Sequence, residues 1–162
     1  MKTIYLFLIG LFCSSAFGQW TNDYGVNTLV ADSHTSDVQS VGTNDGKTWV
    51  VFWDEDAGYK LRVQLLDQDG NLQFGTNGML VNSVADNGTW TATRSNVVDE
   101  DGNVYIGFTA TNSSIGYVNK IAPDGTQLYG EEGISIPDGW DLKLLALPDG
   151  VVLVGWMVQT VC

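Results

Sequence analysis

Residues 44–53 read Asn-Asp-Gly-Lys-Thr-Trp-Val-Val-Phe-Trp, an Asp-Gly turn followed by a short apolar run that is rich in aromatic residues. The pattern returns as Asp-Gly-Asn-Val-Tyr-Ile-Gly-Phe-Thr at residues 101–109 and as Asp-Gly-Val-Val-Leu-Val-Gly-Trp at residues 149–156. In each copy an aromatic residue stands seven positions after the Asp, at Phe52, Phe108 and Trp156. An internal repeat of this kind indicates one small structural unit that the chain uses several times.

Each copy belongs to a longer cycle of predicted strands, which we label a, b, c and d. The first cycle has strands predicted at residues 36–41 (a), 49–53 (b), 59–66 (c) and 72–82 (d). The Asp45-Gly46 pair predicts a type I′ hairpin turn between a and b, with positive φ at both residues. Strand c alternates most clearly, with one face formed by Tyr59, Leu61, Val63 and Leu65 and the other by Lys60, Arg62 and Gln64.

The cycle then repeats along the chain at a nearly constant spacing. The second cycle has strands predicted at residues 90–98, 104–109, 115–121 and 128–136, and a third begins at 140–147 and 151–158. Three glycine pairs share one and the same offset along the chain, namely Gly70 and Gly125, Gly75 and Gly130, and Gly78 and Gly133. The turn glycines Gly46, Gly102 and Gly150 follow at spacings of 56 and 48 residues.

A period of about 50 residues that contains four short strands is typical of a propeller blade. A plain β-sandwich stays the alternative, since it also has short strands at regular spacing. The sequence thus predicts an all-β, partial β-propeller of four-stranded antiparallel blades, with two full blades and a half blade. Residues 19–30 are predicted as an orphan outer strand d, so we expect the remaining blades of a longer chain as partners.

Residues 1–18 have the pattern of a cleavable signal peptide. Lys2 supplies the positive charge, residues 4–12 the apolar core, and Ala16-Phe17-Gly18 the small residues before a cleavage site at Gln19. An apolar core this short cannot span a bilayer as a helix, so we expect no membrane insertion after cleavage. Cys13 lacks the small preceding residue of a lipobox. We therefore predict a secreted or cell-surface protein whose repeat domain covers residues 19–162.

The composition excludes some classes of partner. The chain has 19 acidic residues against seven Lys and Arg, and its formal net charge is −12. Such a charge repels nucleic acid and anionic lipid surfaces. Only Cys162 remains after cleavage, so no internal disulfide can form. A secreted β-domain without disulfides is typical of bacterial rather than animal extracellular proteins.

Residues 53–78 resemble a repeat that is common in large secreted bacterial proteins. The matching features are Trp53-Asp54, a strand that ends in Gln64-Leu65-Leu66-Asp67-Gln68-Asp69-Gly70, and the aromatic step Phe74-Gly75-Thr76-Asn77-Gly78. The resemblance extends over nearly all of residues 20–158. It implies a β-propeller and export, in proteins that often end in a sorting domain for type IX secretion. It implies little about activity.

Residues 43–49 also look like the Asp-box of sialidase-type propellers, with Gly42 in place of the usual Ser and Asn44 in place of the Asp. In that family the Asp-box is a structural turn. Sialidases hold the substrate carboxylate with three arginines, whereas this chain has only Arg62 and Arg94. The resemblance therefore disfavours sialidase chemistry. A pair of acidic residues for glycoside hydrolysis stays open, because any two carboxylates can meet in a fold.

Most tryptophans occupy repeating positions, which predicts packing between blades rather than ligand binding; these are Trp20, Trp49, Trp53, Trp90 and Trp156. Trp140, beside Asp138-Gly139, is predicted to be the most exposed and is the candidate binding residue. His34 is the only histidine, and no neighbour in the sequence orients it, so we expect an ordinary loop residue.

Two acidic segments look like fragments of calcium loops, Asp67-Gln68-Asp69-Gly70-Asn71 and Asp99-Glu100-Asp101-Gly102-Asn103. Neither has the glycine at position six and the glutamate at position twelve of an EF-hand loop. Asp and Asn in hairpin turns bond to their own backbone, so we expect turns and no metal site, although calcium binding by the acidic loops stays open.

The sequence assigns no catalytic residue and no cofactor. We therefore expect a non-catalytic propeller module that presents loops to a polysaccharide or a surface protein. The alternative is the N-terminal part of a secreted carbohydrate-active enzyme whose catalytic residues lie beyond residue 162.

Overall fold

The computed structural model describes residues 28–83, 94–110 and 115–158. These residues form antiparallel β-sheets. Sheet A has the order β1 (Thr35–Gly42), β2 (Thr48–Asp54), β3 (Lys60–Leu66) and β4 (Met79–Leu80). Sheet B has the order β5 (Arg94–Val98), β6 (Val104–Ala110), β7 (Ile115–Ile121) and β8 (Ile134–Ile136), and sheet C pairs β9 (Gly139–Ala146) with β10 (Val152–Val158).

The strand positions follow the predicted cycle closely, and β7 coincides with its prediction. Strand c of the first cycle begins one residue later than predicted, because Tyr59 has a φ of 62° and leaves the extended conformation. The signal peptide, residues 19–27 of the predicted orphan strand and residues 90–93 lie outside the described residues. Residues 28–30 of that orphan strand are described and are not in a strand.

The two d strands are much shorter than predicted. Only Met79–Leu80 and Ile134–Ile136 pair as strands within them, with isolated bridges at Leu72 and at Gln127, the residue before the second predicted d strand. Between bridge and strand the chain passes through the Gly-x-x-Gly step. Gly75 and Gly78 both have a φ of 67°, a left-handed conformation that turns the backbone out of the ladder.

The Asp-Gly pairs lie in hairpin turns as predicted, but the type I′ prediction for Asp45-Gly46 is wrong. The Gly46 N–H donates to the Thr43 carbonyl at 3.1 Å, and of the two residues only the glycine has a positive φ, of 83°. This is a type I turn followed by a left-handed glycine, the usual three-residue hairpin loop. Among the hairpin turns of the described residues, both members of the pair have positive φ only at Asp149-Gly150, with 71° and 72°.

The three sheets stack face to face in chain order, so the described residues do not form a two-sheet sandwich. One face of sheet A packs against one face of sheet B, and the opposite face of sheet B packs against sheet C through Tyr105, Val118, Leu142 and Leu144. The remaining face of sheet A has Val50, Phe52 and Leu66 packed with Val30 and Ala31. Full burial of one large apolar side chain contributes about 1.5–3 kcal/mol.

The offset between the first two cycles is 56 residues from Gly46 to Gly102 but 55 residues from Gly70 to Gly125. Strands β2 and β3 pair over their full length without a shift of register, and so do β6 and β7. The connection between the paired strands has five residues in sheet A, 55–59, and four in sheet B, 111–114. Because the β6–β7 connection is one residue shorter than the β2–β3 connection, the offset between the two cycles is one residue smaller after it.

No helix in the described residues is long and apolar enough to cross a membrane.

Candidate functional site

The same side-chain contact holds sheet A to sheet B and sheet B to sheet C. The Trp49 indole N–H donates to the Gly102 carbonyl at 2.9 Å. The Tyr105 hydroxyl donates to the Gly150 carbonyl at 3.4 Å. Trp49 and Tyr105 each stand four residues after the Asp of their own turn, and each acceptor is the glycine of the next turn. The same hydrogen bond, from an aromatic side chain to the turn glycine of the next sheet, therefore repeats along the stack.

Aromatic neighbours repeat in the same way. The Phe74 ring lies 5.8 Å from the Trp49 ring, and the Tyr129 ring lies 6.2 Å from the Tyr105 ring. Phe74 and Tyr129 occupy the same position of the first and second cycles, where they begin the two aromatic-Gly-x-x-Gly steps. Each aromatic step thus packs on the residue that reaches the following sheet.

The segments that lead into sheets A and B also make equivalent contacts. The Asp32 N–H donates to the Thr76 carbonyl at 2.9 Å, and the Ser83 N–H donates to the Glu131 carbonyl at 3.1 Å. Thr76 and Glu131 are again counterparts in the two cycles, each directly after the first glycine of its step. Val30 and Val81, two residues before each donor, both pack in a core cluster on the sheet that follows. The segment before sheet A therefore makes the same backbone hydrogen bond as the segment that connects sheet A to sheet B.

The packing prediction for the tryptophans is confirmed for Trp49 and Trp53, which are buried between sheets A and B. It is wrong for Trp156, which is 47% exposed. The register of β9 and β10 shifts between Gly155 and Met157, where Asp141 and Leu142 of β9 both stand opposite Trp156, so the extra residue of the bulge lies on β9. Trp140, predicted to be the most exposed tryptophan, is partly buried. Trp20 and Trp90 lie outside the described residues.

Strands β1, β5 and β9 begin, and β2, β6 and β10 end, at one edge of the stack, which we call the loop edge. At the loop edge of sheet C, Trp140 is the second residue of β9 and pairs with Met157. The preceding residue, Gly139, accepts a hydrogen bond from the Thr109 hydroxyl of sheet B at 3.1 Å. The candidate binding residue thus lies where two sheets meet.

A buried arginine joins sheets A and B near the loop edge. The Arg94 side chain is fully buried, its guanidinium lies 3.0 Å from the Asp37 carboxylate, and it stacks 5.4 Å from the Trp53 ring. Burial lowers the pKa of Arg94 to about 10, although Asp37 opposes the shift. Arg62 is paired separately with Asp54 at 2.6 Å. The two arginines therefore lie in different ion pairs and do not form one anion site.

His34 is a loop residue as predicted, but the expectation that nothing orients it is wrong. Its Nδ1 lies 2.9 Å from an Asp56 carboxylate oxygen, and its backbone N–H donates to the other oxygen at 3.0 Å. These hydrogen bonds raise the pKa of His34 and lower the pKa of Asp56. The register explains the contact, because Thr35 pairs with Asp54 and so places the flanking residues together.

His34 and Asp56 line an open cleft of about 320 Å³ together with Leu29, Ala31, Asp32 and Ser33. The imidazole is 84% exposed. The buried Ser33 hydroxyl has no hydrogen-bond partner among the described residues, so Ser33, His34 and Asp56 do not form a connected hydrolytic triad. The cleft offers a carboxylate, an imidazole and apolar side chains to a ligand.

The carboxylates of Asp67 and Asp99 accept hydrogen bonds within their own turns, as predicted, and Asp99 also pairs with Lys120 at 3.1 Å. One Asp67 oxygen accepts the backbone N–H groups of Asp69 and Asn71 at 2.9 and 2.8 Å. The Asn71 side chain binds the other oxygen and is the main cause of the lowered pKa of Asp67. In the described part of the chain, no group of three His, Cys, Asp or Glu residues is placed to hold a metal ion.

Comparison of the chain with models of protein families, with curated proteins and with solved structures found no significant match.

Proposed function

We propose that the chain is a non-catalytic β-propeller module of a secreted or cell-surface protein, whose loop edge binds a polysaccharide or a protein surface. One observation supports the propeller above all. The contact from Trp49 to the Gly102 carbonyl recurs from Tyr105 to the Gly150 carbonyl. Successive blades of a propeller are held by contacts that repeat from one blade to the next.

The internal repeat also separates scaffold from candidate binding residues. Residues that make equivalent contacts in both cycles are needed for stacking, whatever the protein binds. The loop edge differs from sheet to sheet, with His34 and Asp56 at sheet A and Trp140 at sheet C. Side chains that the scaffold does not require are those available to a ligand, and loops on a rigid sheet are common binding sites.

The chemistry of these side chains suits a polysaccharide. An indole offers an apolar face to a sugar ring, while a carboxylate and an imidazole accept or donate hydrogen bonds to hydroxyl groups. The cleft beside His34 is open, as a site for an extended polymer must be. A protein partner would use the same aromatic and charged groups.

The binding proposal is tested with the exported chain on a panel of polysaccharides and surface proteins, followed by calorimetry of any ligand found. Trp140→Ala and Asp56→Asn are each expected to raise Kd about tenfold or more. Tyr129→Ala, which removes an exposed aromatic residue beside Tyr105, is the control and should leave Kd unchanged. Equal effects of all three variants would contradict a site at the loop edge. Turnover of a glycoside that Asp56→Asn abolishes would replace the proposal with an enzyme.

Export rests on the signal peptide and is tested separately. We expect cleavage between Gly18 and Gln19, because Ala16-Phe17-Gly18 has the small residues that signal peptidase needs. Mass analysis of the exported protein should show an N-terminus at Gln19. A chain that begins at an acylated Cys13 would contradict this and would place the module on a membrane surface.

A further inference from the structure

The cleft that His34 and Asp56 line at the loop edge of sheet A combines apolar and acidic side chains. It has a volume of about 320 Å³ and is open to solvent. Leu29 in its wall is 60% exposed, and Asp32 adds a second carboxylate to that of Asp56. Among the described residues that line the cleft, none is Lys, Arg, Phe, Tyr or Trp. A ligand therefore meets two negative charges beside exposed hydrocarbon.

The two carboxylates of the cleft differ in their partners. Asp32 donates its backbone N–H to the Thr76 carbonyl at 2.9 Å and to the Asn77 side chain at 3.0 Å, and its carboxylate makes no ion pair with a described residue. Both oxygens of Asp56 face His34, one at 2.9 Å from Nδ1 and the other at 3.0 Å from the backbone nitrogen. The imidazole is a charged partner only when it is protonated. A cation from another molecule therefore competes with His34 for Asp56.

The chain uses most of its own cations elsewhere. Of its seven Lys and Arg residues, one is Lys2, and five others lie within 3.1 Å of an Asp carboxylate, namely Lys47, Arg62, Arg94, Lys120 and Lys143. None of these five pairs includes Asp32 or Asp56. The net charge of −12 also attracts cationic molecules. Charge complementarity thus favours a cationic ligand for the cleft.

A lysine side chain matches both properties of the cleft. Its hydrocarbon stem packs along apolar surface while its ammonium group stays in water and binds a carboxylate. A sugar ring matches this cleft less well, because no described aromatic residue lines it to stack on the ring. Trp140, which offers an indole, belongs to sheet C. At this cleft the observations therefore favour a protein partner over a polysaccharide.

We propose, resting on the proposed function of the loop edge, that the cleft binds a lysine side chain on the surface of a partner protein. The stem packs on Leu29, and the carboxylates of Asp32 and Asp56 bind the ammonium group. His34 regulates the site, because the protonated imidazole and the lysine bind the same carboxylate.

The competition makes binding depend on pH. The Asp56 hydrogen bond and charge raise the pKa of His34, and the Glu55 charge raises it further. These two acids of the β2–β3 connection and Asp32 of the preceding segment are the charged groups around the imidazole. Above the raised pKa the positive charge of His34 is lost, so the lysine binds more tightly. By linkage, a bound lysine lowers the pKa of His34 to an equivalent extent.

The test titrates the exported chain with N-acetyl-lysine methylamide, which we call blocked lysine, and follows the ring protons of the single histidine by NMR. We expect a Kd of about 1–10 mM, as for one exposed ion pair with a small apolar contact. Kd should fall about two- to fivefold from about pH 5.5 to about pH 8.5, and the pKa of His34 should fall on binding. The Nε-acetylated form, which keeps the stem and lacks the charge, should not bind.

Asp32→Asn removes one carboxylate of the cleft and should raise Kd about two- to fivefold. Asp138→Asn is the matched control, because it removes the same charge at an exposed residue directly before β9, elsewhere on the loop edge. It should leave Kd unchanged. Circular dichroism checks that both variants fold. If Asp32→Asn does not fold, the pH dependence of Kd and the pKa of His34 in the unchanged chain decide the question.

Equal binding of the two forms of lysine, or an equal Kd for the Asp32 and Asp138 variants, would overturn the proposal. So would tighter binding of glucosamine than of blocked lysine, which would assign the cleft to an amino sugar. A polysaccharide whose binding Trp140→Ala weakens, with no binding of blocked lysine, would support the loop edge and overturn the lysine site. Blocked lysine that binds while no polysaccharide or surface protein does would support the cleft and contradict the wider proposal.

Discussion

Trp49 and Tyr105 occupy the same position of the repeat, and each donates a hydrogen bond to the carbonyl of the glycine in the next turn. The two hydrogen bonds differ in length. The indole N–H lies 2.9 Å from its carbonyl and the phenol oxygen 3.4 Å from its own. Shorter N–H···O contacts with a buried donor are the stronger ones. The contact between sheets A and B should therefore contribute more to stability than the contact between sheets B and C.

Trp49→Phe removes the donor and part of a buried ring, so we expect the free energy of unfolding to fall by about 2–4 kcal/mol. Tyr105→Phe removes only a hydroxyl, which makes the long hydrogen bond to Gly150 and a second one with Lys120, and we expect a loss of about 0.5–1.5 kcal/mol. Urea unfolding followed by tryptophan fluorescence and circular dichroism measures both. A larger loss for Tyr105→Phe than for Trp49→Phe would show that the two contacts are not ordered as the distances indicate.

We expect the ion pair of His34 and Asp56 to make the stability of the fold depend on pH. The Asp56 hydrogen bond raises the pKa of His34 above its ordinary value of 6.5. Its contribution to stability is fully present below pH 6.5 and is lost as the pH rises through the raised value. An NMR titration of the single histidine should show the raised pKa, and Asp56→Asn should bring it back towards 6.5. An unchanged pKa in that variant would rule out Asp56 as the cause.

At the scale of the element, most of the fold follows from local sequence. Alternating apolar residues and Asp-Gly pairs predict the strands to within a few residues, because both signals act over short distances. The turn type does not follow, because a type I′ turn and a type I turn with a left-handed glycine share the Asp-Gly signal. The predicted d strands are too long because apolar residues lie on both sides of the Gly-x-x-Gly step. The apolar pattern therefore does not show that strand pairing stops at the glycines.

The candidate site is harder to predict than the strands. The pairing of His34 with Asp56 depends on the register between β1 and β2, which brings together residues 22 positions apart. The repeat does not predict that Trp156 is exposed, because its counterparts Phe52 and Phe108 are both buried. The repeat predicts which aromatic residues pack between sheets, but it cannot show where the stack of sheets leaves a face uncovered.

Alanine substitutions at the two glycines of the first Gly-x-x-Gly step distinguish the cost of a left-handed backbone from the cost of close packing. Gly75 and Gly78 have the same φ of 67°, but a Cβ at Gly78 would lie 2.6 Å from the Val63 carbonyl oxygen, and a Cβ at Gly75 would have no neighbour within 4 Å. We expect Gly75→Ala to cost about 1–2 kcal/mol for the left-handed conformation alone. Gly78→Ala should cost clearly more, because the strand must also move. Equal losses in chemical unfolding would contradict a close approach at Gly78.

At the scale of the whole molecule, the acidic turns contribute to the stability at low pH. Hydrogen bonds from Lys47 and Thr43 lower the pKa of Asp45 to about 2 from 3.8, and turn hydrogen bonds also lower the pKa values of Asp67 and Asp124. Lowered pKa values contribute stability that is present above pH 3.8 and lost as the pH falls towards 2.

We therefore expect acid unfolding with a midpoint between about pH 4 and about pH 2, followed by circular dichroism. Thr43→Ala removes one hydrogen bond to Asp45 and keeps the carboxyl, so it should move the midpoint upward by a small amount. A midpoint that does not respond to Thr43→Ala would show that this turn does not contribute to acid stability.

The central claim is that three sheets stack in chain order through one repeated contact. The most direct measurement is the nuclear Overhauser spectrum of the folded chain. We predict contacts from the Trp49 indole N–H to the protons around Gly102, and from the Tyr105 ring to the protons around Gly150. A folded chain in which both aromatic side chains contact other residues instead would contradict the repeated stack and, with it, the proposed propeller.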